Sequence, residues 1–492
     1  MGIKYILSID QGTTSTKCML FNKQGGIIYR SQQEVTCYYP HDGWVEQNAL
    51  DVWLSVLDVI NDCLAKTNLT YDNIDCIGLT NQRETTVVWD RKTGMPVYNA
   101  IVWQSRQSAD VCVKWEKYKD LIHEKTGLVL NPYFSASKIR FILDKIENGQ
   151  TRAENNELMC GTIDTWILYK LSNGKIFKTD VTNASRTMIF NINTLKWDDE
   201  LLKLFSIPKC MLAAVVPSSY YFGDASVLTK KLKICGVAGD QQAALFGQNC
   251  FEIGDLKNTY GTGCFMLMNT GDKPIFSKNG LVTTIAWQID DKVSYALEGS
   301  VFIGGAVIQW LRDQMRMIKT NSDSEIYATK VDTDLGVYVV PAFVGLGAPY
   351  WDNDARGAVF GLTRATSKEN FIRAALNSIA LQSKDLAIAM EKESGKTIKL
   401  LKVDGGATAN NYLLQYQADI LNCKIMLPLC LETTALGAAY LAGLQNKYWK
   451  SIDEIKEIHK YQKEFSPKMK KTQRDEIDYK WHKAIEATRV FK

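Results

Sequence analysis

Histidine is scarce in this chain of 492 residues, and its cysteines follow no regular spacing. None of the four histidines neighbours another histidine or a cysteine, so neither a zinc site nor a histidine-based catalytic triad is expected. The twelve cysteines form no C-x-x-C pair, and most stand in apolar contexts, as Cys18, Cys76 and Cys235 do. Such cysteines are usually buried free thiols, which indicates a reducing compartment, and we expect the cytoplasm.

Long apolar runs and basic patches are absent as well. No apolar stretch reaches about 18 residues, so we expect no membrane span and no stable membrane association. The N-terminus leads directly into a strand-like run, unlike a signal or transit peptide. The net charge is +4, and much of the excess lies after residue 446, where lysines alternate with acidic residues as on a solvated helical face. No basic run is interleaved with stacking aromatics, so nucleic acid is not an expected partner.

Short apolar runs that end in an acidic residue alternate with helical patterns. The runs end at Asp10, Asp240 and Asp404, and helical periodicity covers residues 49–66 and 368–392. Strands that alternate with helices predict a layered α/β architecture. Apolar residues make up 46% of the chain, which is enough to bury large cores.

A weak internal repeat divides the chain near residue 250. Each half opens with a strand, a turn rich in glycine and threonine, and a second strand; the turns are DQGTTST and YGTGC. Each half later contains a strand that ends in an acidic residue and is followed by a helix, in VAGDQQAALFGQ and KVDGGATANNYLLQYQADIL. We predict two domains of similar plan, residues 1–248 and 249–492, with a cleft between them, because small ligands usually bind in such clefts.

The turn after Asp10 has the composition of a phosphate-binding loop. Gly12 allows close approach of the backbone, and successive N–H groups can form a nest for an anion. Lys17 adds a positive charge, and Asp10 could hold Mg²⁺ through water. The hydroxyl donors of the loop are Thr13, Thr14 and Ser15. No Walker motif occurs, and the alternative is an ordinary hairpin with glycine at its turn.

Asp240 stands between an apolar run and a helical pattern, in GDQQAALFGQ. A carboxylate at this point could accept the proton of a substrate alcohol during phosphoryl transfer, which otherwise depends mostly on positioning and charge stabilisation. The alternative is a helix N-cap, a common place for aspartate just before a helix.

Two glycine-rich segments of the second half fit a nucleotide. Thr262 in TYGTGCFM can donate to a phosphate. In DGGATANN, Gly405 and Gly406 leave room for a base or ribose, and Asn410 can bond the edge of the base. The alternative is a pair of glycine turns without a ligand.

A charged pair and three aromatic residues are candidates for a substrate pocket. Arg83 supplies only donors and Glu84 only acceptors, and the hydroxyls of a small polyol can use both. Trp103, Tyr133 and Phe265 could supply walls for a short carbon chain. The alternatives are a surface ion pair, which contributes little, and aromatic residues of an ordinary core.

Taken in order, these segments resemble the superfamily of actin, sugar kinases and heat-shock ATPases. More closely, the chain resembles the FGGY carbohydrate kinases, and within that family the members that phosphorylate glycerol. The resemblance extends essentially from end to end, and its most specific segments are NQRETT, GDQQAALFGQ and APYWDNDARG. It implies two ribonuclease H-like domains of the actin-like ATPase type that flank a deep cleft. It also implies a homodimer or higher homo-oligomer that uses ATP and Mg²⁺ to convert glycerol to sn-glycerol 3-phosphate.

The resemblance implies roles for individual residues. Asp240 would be the general base, and Asp10 and Asp240 would place Mg²⁺. The residues implied for glycerol are Arg83, Glu84, Trp103, Tyr133, Asp240, Gln241 and Phe265. Those implied for the ATP phosphates are Thr13, Thr14, Ser15, Lys17 and Thr262, and those for the rest of the nucleotide are Gly305, Gln309, Gly406 and Asn410.

The chain departs from the family pattern in a few places. Lys17 stands where many members have arginine, so the charge is kept and the bidentate fork is lost. Whether Lys17 touches phosphate or only supplies charge stays open. Phe141 stands where tryptophan is usual, a difference we expect to affect packing only. Residues 218–236 lack the Gly-Gly-x-Arg character of the loop that binds fructose 1,6-bisphosphate in regulated members, so that inhibition is not expected.

Two other functions fit parts of the pattern. One is a kinase of the same family that acts on a longer polyol or a ketose, and the three aromatic residues favour a short substrate over it. The other is an actin-like or chaperone-like ATPase that binds protein. Such a protein needs a polymer surface or a peptide-binding domain, and no β-rich segment is appended after the second half to supply the latter.

Overall fold

The protein is described here from a computed structural model over residues 3–352 and 354–491. The strands of its first half are β1 (Tyr5–Gln11), β2 (Ser15–Phe21), β3 (Ile27–Glu34), β4 (Glu46–Gln47), β5 (Ile74–Asn81), β6 (Thr86–Asp90), β7 (Ala100–Ile101), β8 (Leu158–Thr162), β9 (Lys178–Asp180), β10 (Phe190–Asn191), β11 (Lys196–Trp197), β12 (Ala214–Val216), β13 (Ser219–Ala225) and β14 (Leu232–Gly239). The helices of this half are α1 (Ala49–Thr67), α2 (Ala109–Lys114), α3 (Lys119–Thr126), α4 (Ser135–Lys145), α5 (Gly149–Glu154), α6 (Ile163–Leu171), α7 (Val181–Ala184), α8 (Asp199–Phe205) and α9 (Asp240–Gly247).

The second half continues the same alternation of strands and helices. Its strands are β15 (Leu256–Tyr260), β16 (Cys264–Gly271), β17 (Val282–Ile289), β18 (Lys292–Val301), β19 (Tyr338–Val340), β20 (Ala358–Phe360), β21 (Leu400–Asp404), β22 (Lys424–Pro428) and β23 (Tyr461–Phe465). Its helices are α10 (Ala306–Asp313), α11 (Asp323–Ala328), α12 (Lys368–Ser394), α13 (Asn411–Leu421), α14 (Thr433–Gln445), α15 (Ile452–Ile458) and α16 (Lys471–Val490).

One large sheet runs through both halves in the order β23-β22-β21-β15-β16-β18-β17-β13-β14-β5-β1-β2-β3. Ser219 of β13 pairs with Ile289 of β17 and joins its two parts. In the first half β1, β2 and β3 are antiparallel, and β5 and β14 follow beyond β1 in parallel. In the second half β15, β16 and β18 are antiparallel, and β21 and β22 follow beyond β15 in parallel. The predicted α/β architecture and the similar plan of the two halves are confirmed.

The two strand–acid–helix segments of the predicted repeat do not occupy equivalent places. β14, which precedes Asp240, is separated from β1 by β5, whereas β21, which ends at Asp404, lies directly beside β15. The counterpart of β21 in the first half is therefore β5, which ends at Asn81 rather than at an acidic residue. Treating these segments as counterparts was wrong, because strand order in the sheet, and not order along the chain, decides which positions correspond.

Helices α9 and α14 cross, and each covers the part of the sheet that belongs to the other half. Phe246 of α9 packs against Trp287 of β17, with ring centroids 5.2 Å apart. α14 lies on β1, β5 and β14. At the crossing, a Cβ atom on Gly437 would lie 1.8 Å from the carbonyl oxygen of Ala243, so only glycine fits there. The exchange of helices binds the two halves together through their cores.

The long helical patterns of the sequence are confirmed. Residues 49–66 form α1, which the side chain of Asn48 caps, and residues 368–392 form α12. The charged C-terminal stretch supplies β23 at the edge of the sheet and then α16, which is anchored by the buried Trp481. Within residues 3–352 and 354–491, no helix combines the length and apolar character needed to cross a bilayer.

Candidate functional site

The predicted phosphate loop is the turn between β1 and β2. Asp10 and Lys17 pair across this hairpin, and the backbone N–H of Gly12 donates to the carbonyl of Ser15 at 2.9 Å. The turn residues Thr13, Thr14 and Ser15 are at least partly exposed. The Oγ1 atom of Thr13 accepts from the indole of Trp103 at 2.8 Å, which ties the loop to the aromatic candidates.

The second turn, between β15 and β16, has a matching form. The backbone N–H of Gly261 donates to the carbonyl of Gly263 at 2.8 Å, and Thr262 is exposed at the tip. Gly305 donates from its backbone to Gly261 at 2.9 Å, and a Cβ atom on Gly305 would lie 2.7 Å from the same carbonyl oxygen. Gln309 is exposed one turn later on α10. The turn that carries Thr262 therefore lies against the start of α10, which carries Gly305 and Gln309.

The third loop follows Asp404 at the end of β21. Gly405 has a φ of 92°, and a Cβ atom there would lie 2.5 Å from the carbonyl oxygen of Tyr260. Gly406 faces open space. The Oδ1 atom of Asn410 accepts from the backbone of Leu413 at 2.9 Å, so this side chain is the N-cap of α13. Its amide nitrogen lies 3.4 Å from the hydroxyl of Ser324.

Asp240 is the first residue of α9, and Gly239 occupies the N-cap position. Its Oδ1 atom lies 3.1 Å from Nε of Arg83 and accepts from the backbone N–H of Gln241 at 2.7 Å. The side chain of Asp240 is 30% exposed. Burial raises the pKa of Asp240, and the positive charges of Arg83 and Lys257 oppose that rise. The alternative of a simple N-cap does not describe this carboxylate.

Arg83 and Glu84 belong to a buried network of charges rather than to a surface pair. Arg83 donates twice to Glu298, at 2.5 and 2.9 Å. Arg186 donates to Glu84 at 2.6 Å and to Glu298 at 3.0 Å. Burial raises the pKa of Glu298, but Arg186 and Arg83 outweigh burial and lower it to about 2. The network holds the Arg83 guanidinium in place against Asp240.

The backbone of Glu84, whose side chain belongs to this network, is strained. Its φ is 60°, in the left-handed region that non-glycine residues rarely adopt and that often marks functional sites. Burial raises the pKa of Glu84, and Arg186 and Arg83 oppose the rise.

The three aromatic candidates meet, although they lie far apart in the chain. The ring centroid of Trp103 is 5.5 Å from that of Tyr133 and 6.3 Å from that of Phe265. Phe265 belongs to the second half, and the other two belong to the first. They form an aromatic group between the two threonine-rich turns, because Trp103 also bonds Thr13 and Phe265 follows the turn of Thr262.

Lys17 contacts a carboxylate of the other half. Its Nζ lies 3.0 Å from Oε2 of Glu432, whose Oε1 lies 2.6 Å from Nη1 of Arg30. Burial raises the pKa of Asp10 to about 6; Lys17 opposes this rise, and Glu432 and Asp240 add to it. Among residues 3–352 and 354–491, no three or more acidic, histidine or cysteine side chains form a metal cluster. Asp10 and Asp240 are nonetheless close enough to act on each other electrostatically.

Sequence reasoning missed four charged residues of this site, namely Arg186, Lys257, Glu298 and Glu432. Lys257 and Glu298 lie inside the strand sequences LKNTY and KVSYALEGSV, at fully buried positions. Glu298 follows the apolar run YAL, and a charge in such a run is an available signal for a site because it has to be paired once it is buried; LKNTY is mostly polar and gives no such signal. Arg186 and Glu432 stand in loops and carry no comparable signal.

Comparison with protein families identifies the chain. The "FGGY family of carbohydrate kinases, N-terminal domain" matches residues 5–247, and the C-terminal domain of the same family matches residues 256–445. The chain belongs to this family. Curated glycerol kinases of Bacillus cereus (strain AH187) and Bacillus anthracis (strain CDC 684 / NRRL 3495) are each 56% identical to it over 494 residues, covering 99% of this chain and 100% of theirs.

Solved structures of FGGY kinases have the same fold as this FGGY chain. The Plasmodium falciparum glycerol kinase crystallised with ADP is 35% identical, with a TM-score of 0.92, over 99% of this chain and 98% of that one. A gluconate kinase from Lactobacillus acidophilus, 22% identical with a TM-score of 0.88 and 99% coverage of both chains, shares the fold.

The structure places two of the segments in which this FGGY chain departs from the family pattern. Phe141 packs in a core against Trp44 and Tyr98, with ring centroids 5.4 and 6.3 Å away, so the position contributes to packing as expected. Within residues 218–236, β13 and β14 pair as an antiparallel hairpin of the large sheet.

Proposed function

We propose that this protein catalyses the ATP-dependent phosphorylation of glycerol at a terminal hydroxyl, which gives sn-glycerol 3-phosphate. The observation that carries the proposal is the placement of Asp240. It is a partly exposed carboxylate at the start of a helix, with Arg83 at 3.1 Å, in a chain that is 56% identical over its length to curated glycerol kinases. The substrate is inferred from the relatives, and the catalytic base is inferred from the position of Asp240.

In this reaction the glycerol oxygen attacks the γ-phosphorus of ATP and its proton passes to the carboxylate of Asp240. The bond from the γ-phosphorus to the bridging oxygen breaks, and ADP leaves. A carboxylate base serves well here because phosphoryl transfer depends mainly on positioning and charge stabilisation. Arg83 keeps Asp240 ionised and oriented, and Glu298 keeps Arg83 in place.

Glycerol binds to a mixed set of donors, acceptors and rings. Arg83, Glu84, Tyr133, Asp240 and Gln241 bond its hydroxyls, and Trp103 and Phe265 contact its carbon chain. The rings of Tyr133 and Phe265 contact that of Trp103, at centroid distances of 5.5 and 6.3 Å, and together form one apolar wall, which suits the short carbon chain of glycerol better than a longer polyol or a ketose.

The nucleotide binds along the three loops. The ATP phosphates contact Thr13, Thr14, Ser15, Lys17 and Thr262, and the rest of ATP contacts Gly305, Gln309, Gly406 and Asn410. Hydroxyls that are at least partly exposed at both turns and the open space at Gly406 support this assignment. Lys17 exchanges Glu432 for phosphate, while Arg30 continues to hold Glu432.

Mg²⁺ fits the carboxylates of Asp10 and Asp240. Mg²⁺ is usually held by one or two carboxylates, waters and substrate phosphates, so a cluster of three protein ligands is not required. The raised pKa of Asp10, to which Asp240 contributes, is typical of carboxylates that a cation would stabilise. When bound, Mg²⁺ neutralises charge on the transferred phosphoryl group.

The organisation of the whole protein follows from the same proposal. Domains of residues 1–248 and 249–492 close over the substrates and exclude water, which limits hydrolysis of ATP. The free thiols of all twelve cysteines support a reducing compartment, the cytoplasm. A homodimer or higher homo-oligomer stays a prediction from the family.

The test is a coupled assay of ADP release with and without glycerol. We expect release to depend on glycerol and to fall by several orders of magnitude in Asp240→Asn, which keeps the shape of the side chain and removes the base. Near-normal turnover of Asp240→Asn would show that another group is the base. Faster turnover of xylulose or erythritol than of glycerol would assign the chain to a different substrate. A rate of ADP release that does not change with any polyol would favour a protein-binding ATPase.

A further inference from the structure

Lys257 is a lysine inside the large sheet, and it is 0% exposed. Lysine is almost never fully buried unless it is paired. Within the described residues its ammonium forms no ion pair; it donates instead to Oε1 of Gln241 and, at 2.9 Å, to Oγ1 of Thr259. Burial lowers the pKa of Lys257 to about 8, although Asp404 and Asp240 oppose the change. A buried cation that bonds two neutral side chains needs an explanation other than a salt bridge.

The contact with Lys257 decides the orientation of the Gln241 carboxamide. An ammonium group offers only donors, so the oxygen of the amide has to face it and the nitrogen has to face away. No acceptor among the described residues bonds this nitrogen, and the residue is only 8% exposed. The preceding residue is Asp240, whose Oδ1 accepts from the backbone N–H of Gln241 at 2.7 Å. An acceptor side chain and a donor side chain therefore stand on successive residues at the start of α9.

We infer that Lys257 is a positioning residue that holds the N–H₂ group of Gln241 toward the substrate, so that Gln241 donates to an acceptor oxygen of the substrate while Asp240 accepts the proton. The inference rests on the proposed function for the identity of that substrate. The acceptor is an oxygen of either glycerol or the transferred phosphoryl group. A neutral partner in place of Lys257 would allow the amide to flip and present its oxygen instead.

Gln241→Glu tests the role of Gln241 as a donor. Glutamate keeps an oxygen facing Lys257 and has no N–H to offer. Near pH 7, below the pKa of Lys257, we expect kcat/KM for glycerol to fall by up to about tenfold if the acceptor is a neutral glycerol oxygen and by roughly 10- to 100-fold if it is the charged phosphoryl group. In Gln241→Met, which adds no charge, kcat/KM for glycerol should fall by a similar factor. A rise confined to the KM for glycerol identifies a glycerol oxygen, and a fall in kcat identifies the phosphoryl group. Wild-type kcat/KM in Gln241→Glu would overturn the inference.

Lys257→Met tests the positioning, with Lys402→Met as its matched control. Lys402 pairs with Lys257 across β15 and β21 and is 6% exposed. Its ammonium donates to the carbonyl of Asn249 at 2.7 Å and lies 3.5 Å from the carboxylate of Asp255, rather than bonding Gln241. We expect kcat/KM to fall about tenfold in Lys257→Met, because the amide can then flip, and to stay unchanged in Lys402→Met. Equal effects in the two variants would overturn the positioning role.

A double-mutant cycle separates this inference from the proposed function. The free energy of unfolding is measured by urea for the wild type, Lys257→Met, Gln241→Met and the double variant. We expect non-additive effects, because the two side chains contact each other. Additive effects would overturn the contact on which the inference depends. The cycle measures unfolding and does not depend on turnover. An absence of glycerol-dependent ADP release in the wild type would therefore reject the proposed function but would not affect the result of the cycle.

Discussion

Substitution of Glu298 by glutamine is the most informative perturbation of the buried charge network. Glu298 accepts two hydrogen bonds from Arg83 and one from Arg186, and all three side chains are almost fully buried. Glutamine has a similar shape but no charge and only one acceptor oxygen. Two guanidinium groups would then share the remaining carboxylates, and Arg83 would no longer be held in one orientation beside Asp240.

Two quantities set the size of the effect, the pKa shift of Glu298 and the cost of breaking a buried ion pair. The pKa of Glu298 is about 2 in the folded protein and 4.5 in its ordinary environment. At about 1.4 kcal/mol for each pKa unit, the difference corresponds to about 3 kcal/mol of stability. Because the folded pKa is depressed, this stability is complete above the ordinary pKa and is lost as the pH falls toward the folded pKa. In proteins generally, removal of one partner of a buried ion pair lowers the free energy of unfolding by about 3–5 kcal/mol.

We therefore expect Glu298→Gln to lower the free energy of unfolding by about 3–5 kcal/mol near neutral pH. The difference from wild type should narrow as the pH falls toward 2, where Glu298 itself becomes protonated. Urea unfolding at several pH values measures both effects, and the ADP assay should show lower kcat/KM for glycerol.

Glu252→Gln is the matched control for this experiment. Glu252 pairs with Lys456 at 2.7 Å, but its side chain is 72% exposed. An exposed ion pair contributes about 0–1 kcal/mol, so this variant should be close to wild type. Equal free energies of unfolding of the two variants near neutral pH would refute the view that the buried charge network stabilises the protein substantially.

Three further predictions test other parts of the structure. Phe265→Ala opens the aromatic group and should raise the KM for glycerol about tenfold, with a smaller effect on the KM for ATP; the reverse pattern would remove Phe265 from the glycerol pocket. Glu432→Gln frees Lys17 from an ion pair worth about 0–1 kcal/mol and should lower the KM for ATP by up to about fivefold; an increase would show that Glu432 assists ATP binding. Asp164→Asn removes a buried carboxyl group whose pKa is raised to about 7 by burial. The wild type should therefore lose stability as the pH rises from about 4 to 7, and the variant should lose less. Urea unfolding over that pH range measures both, and parallel profiles would contradict the prediction.

Local features of the chain were predictable because neighbouring residues produce them. The turn of residues 12–14 contains the glycine and hydroxyl residues that such turns need, and the turn at Gly261–Gly263 follows the same rule. The helix over residues 49–66 has the required periodicity and an asparagine cap. Asp240 follows an apolar run and precedes a helix, and the structure places it at the first position of α9.

The charge network could not be predicted from local pattern. Arg83 and Glu298 are 215 positions apart, and Lys17 and Glu432 are 415 apart. Spacing along the chain says nothing about such pairs, and even a charge whose strand context indicates burial, as at Glu298, does not identify its partner. The adjacency of Arg83 and Glu84 in the sequence drew attention to a pair whose nitrogen and oxygen atoms are 3.9 Å apart, while the shorter contacts of both residues are with distant partners.

The sequence by itself determined the α/β class, the two similar halves, the glycine and threonine turns and the acidic residue at the start of α9. These features depend on backbone conformation and on apolar periodicity, which act between near neighbours. Only the tertiary structure decided that α9 and α14 exchange sheets, that Trp103, Tyr133 and Phe265 meet, and that Lys257 sets the orientation of Gln241. Those contacts form because burial of apolar surface brings distant segments together, and buried charges and amides must then find partners where the packing leaves them.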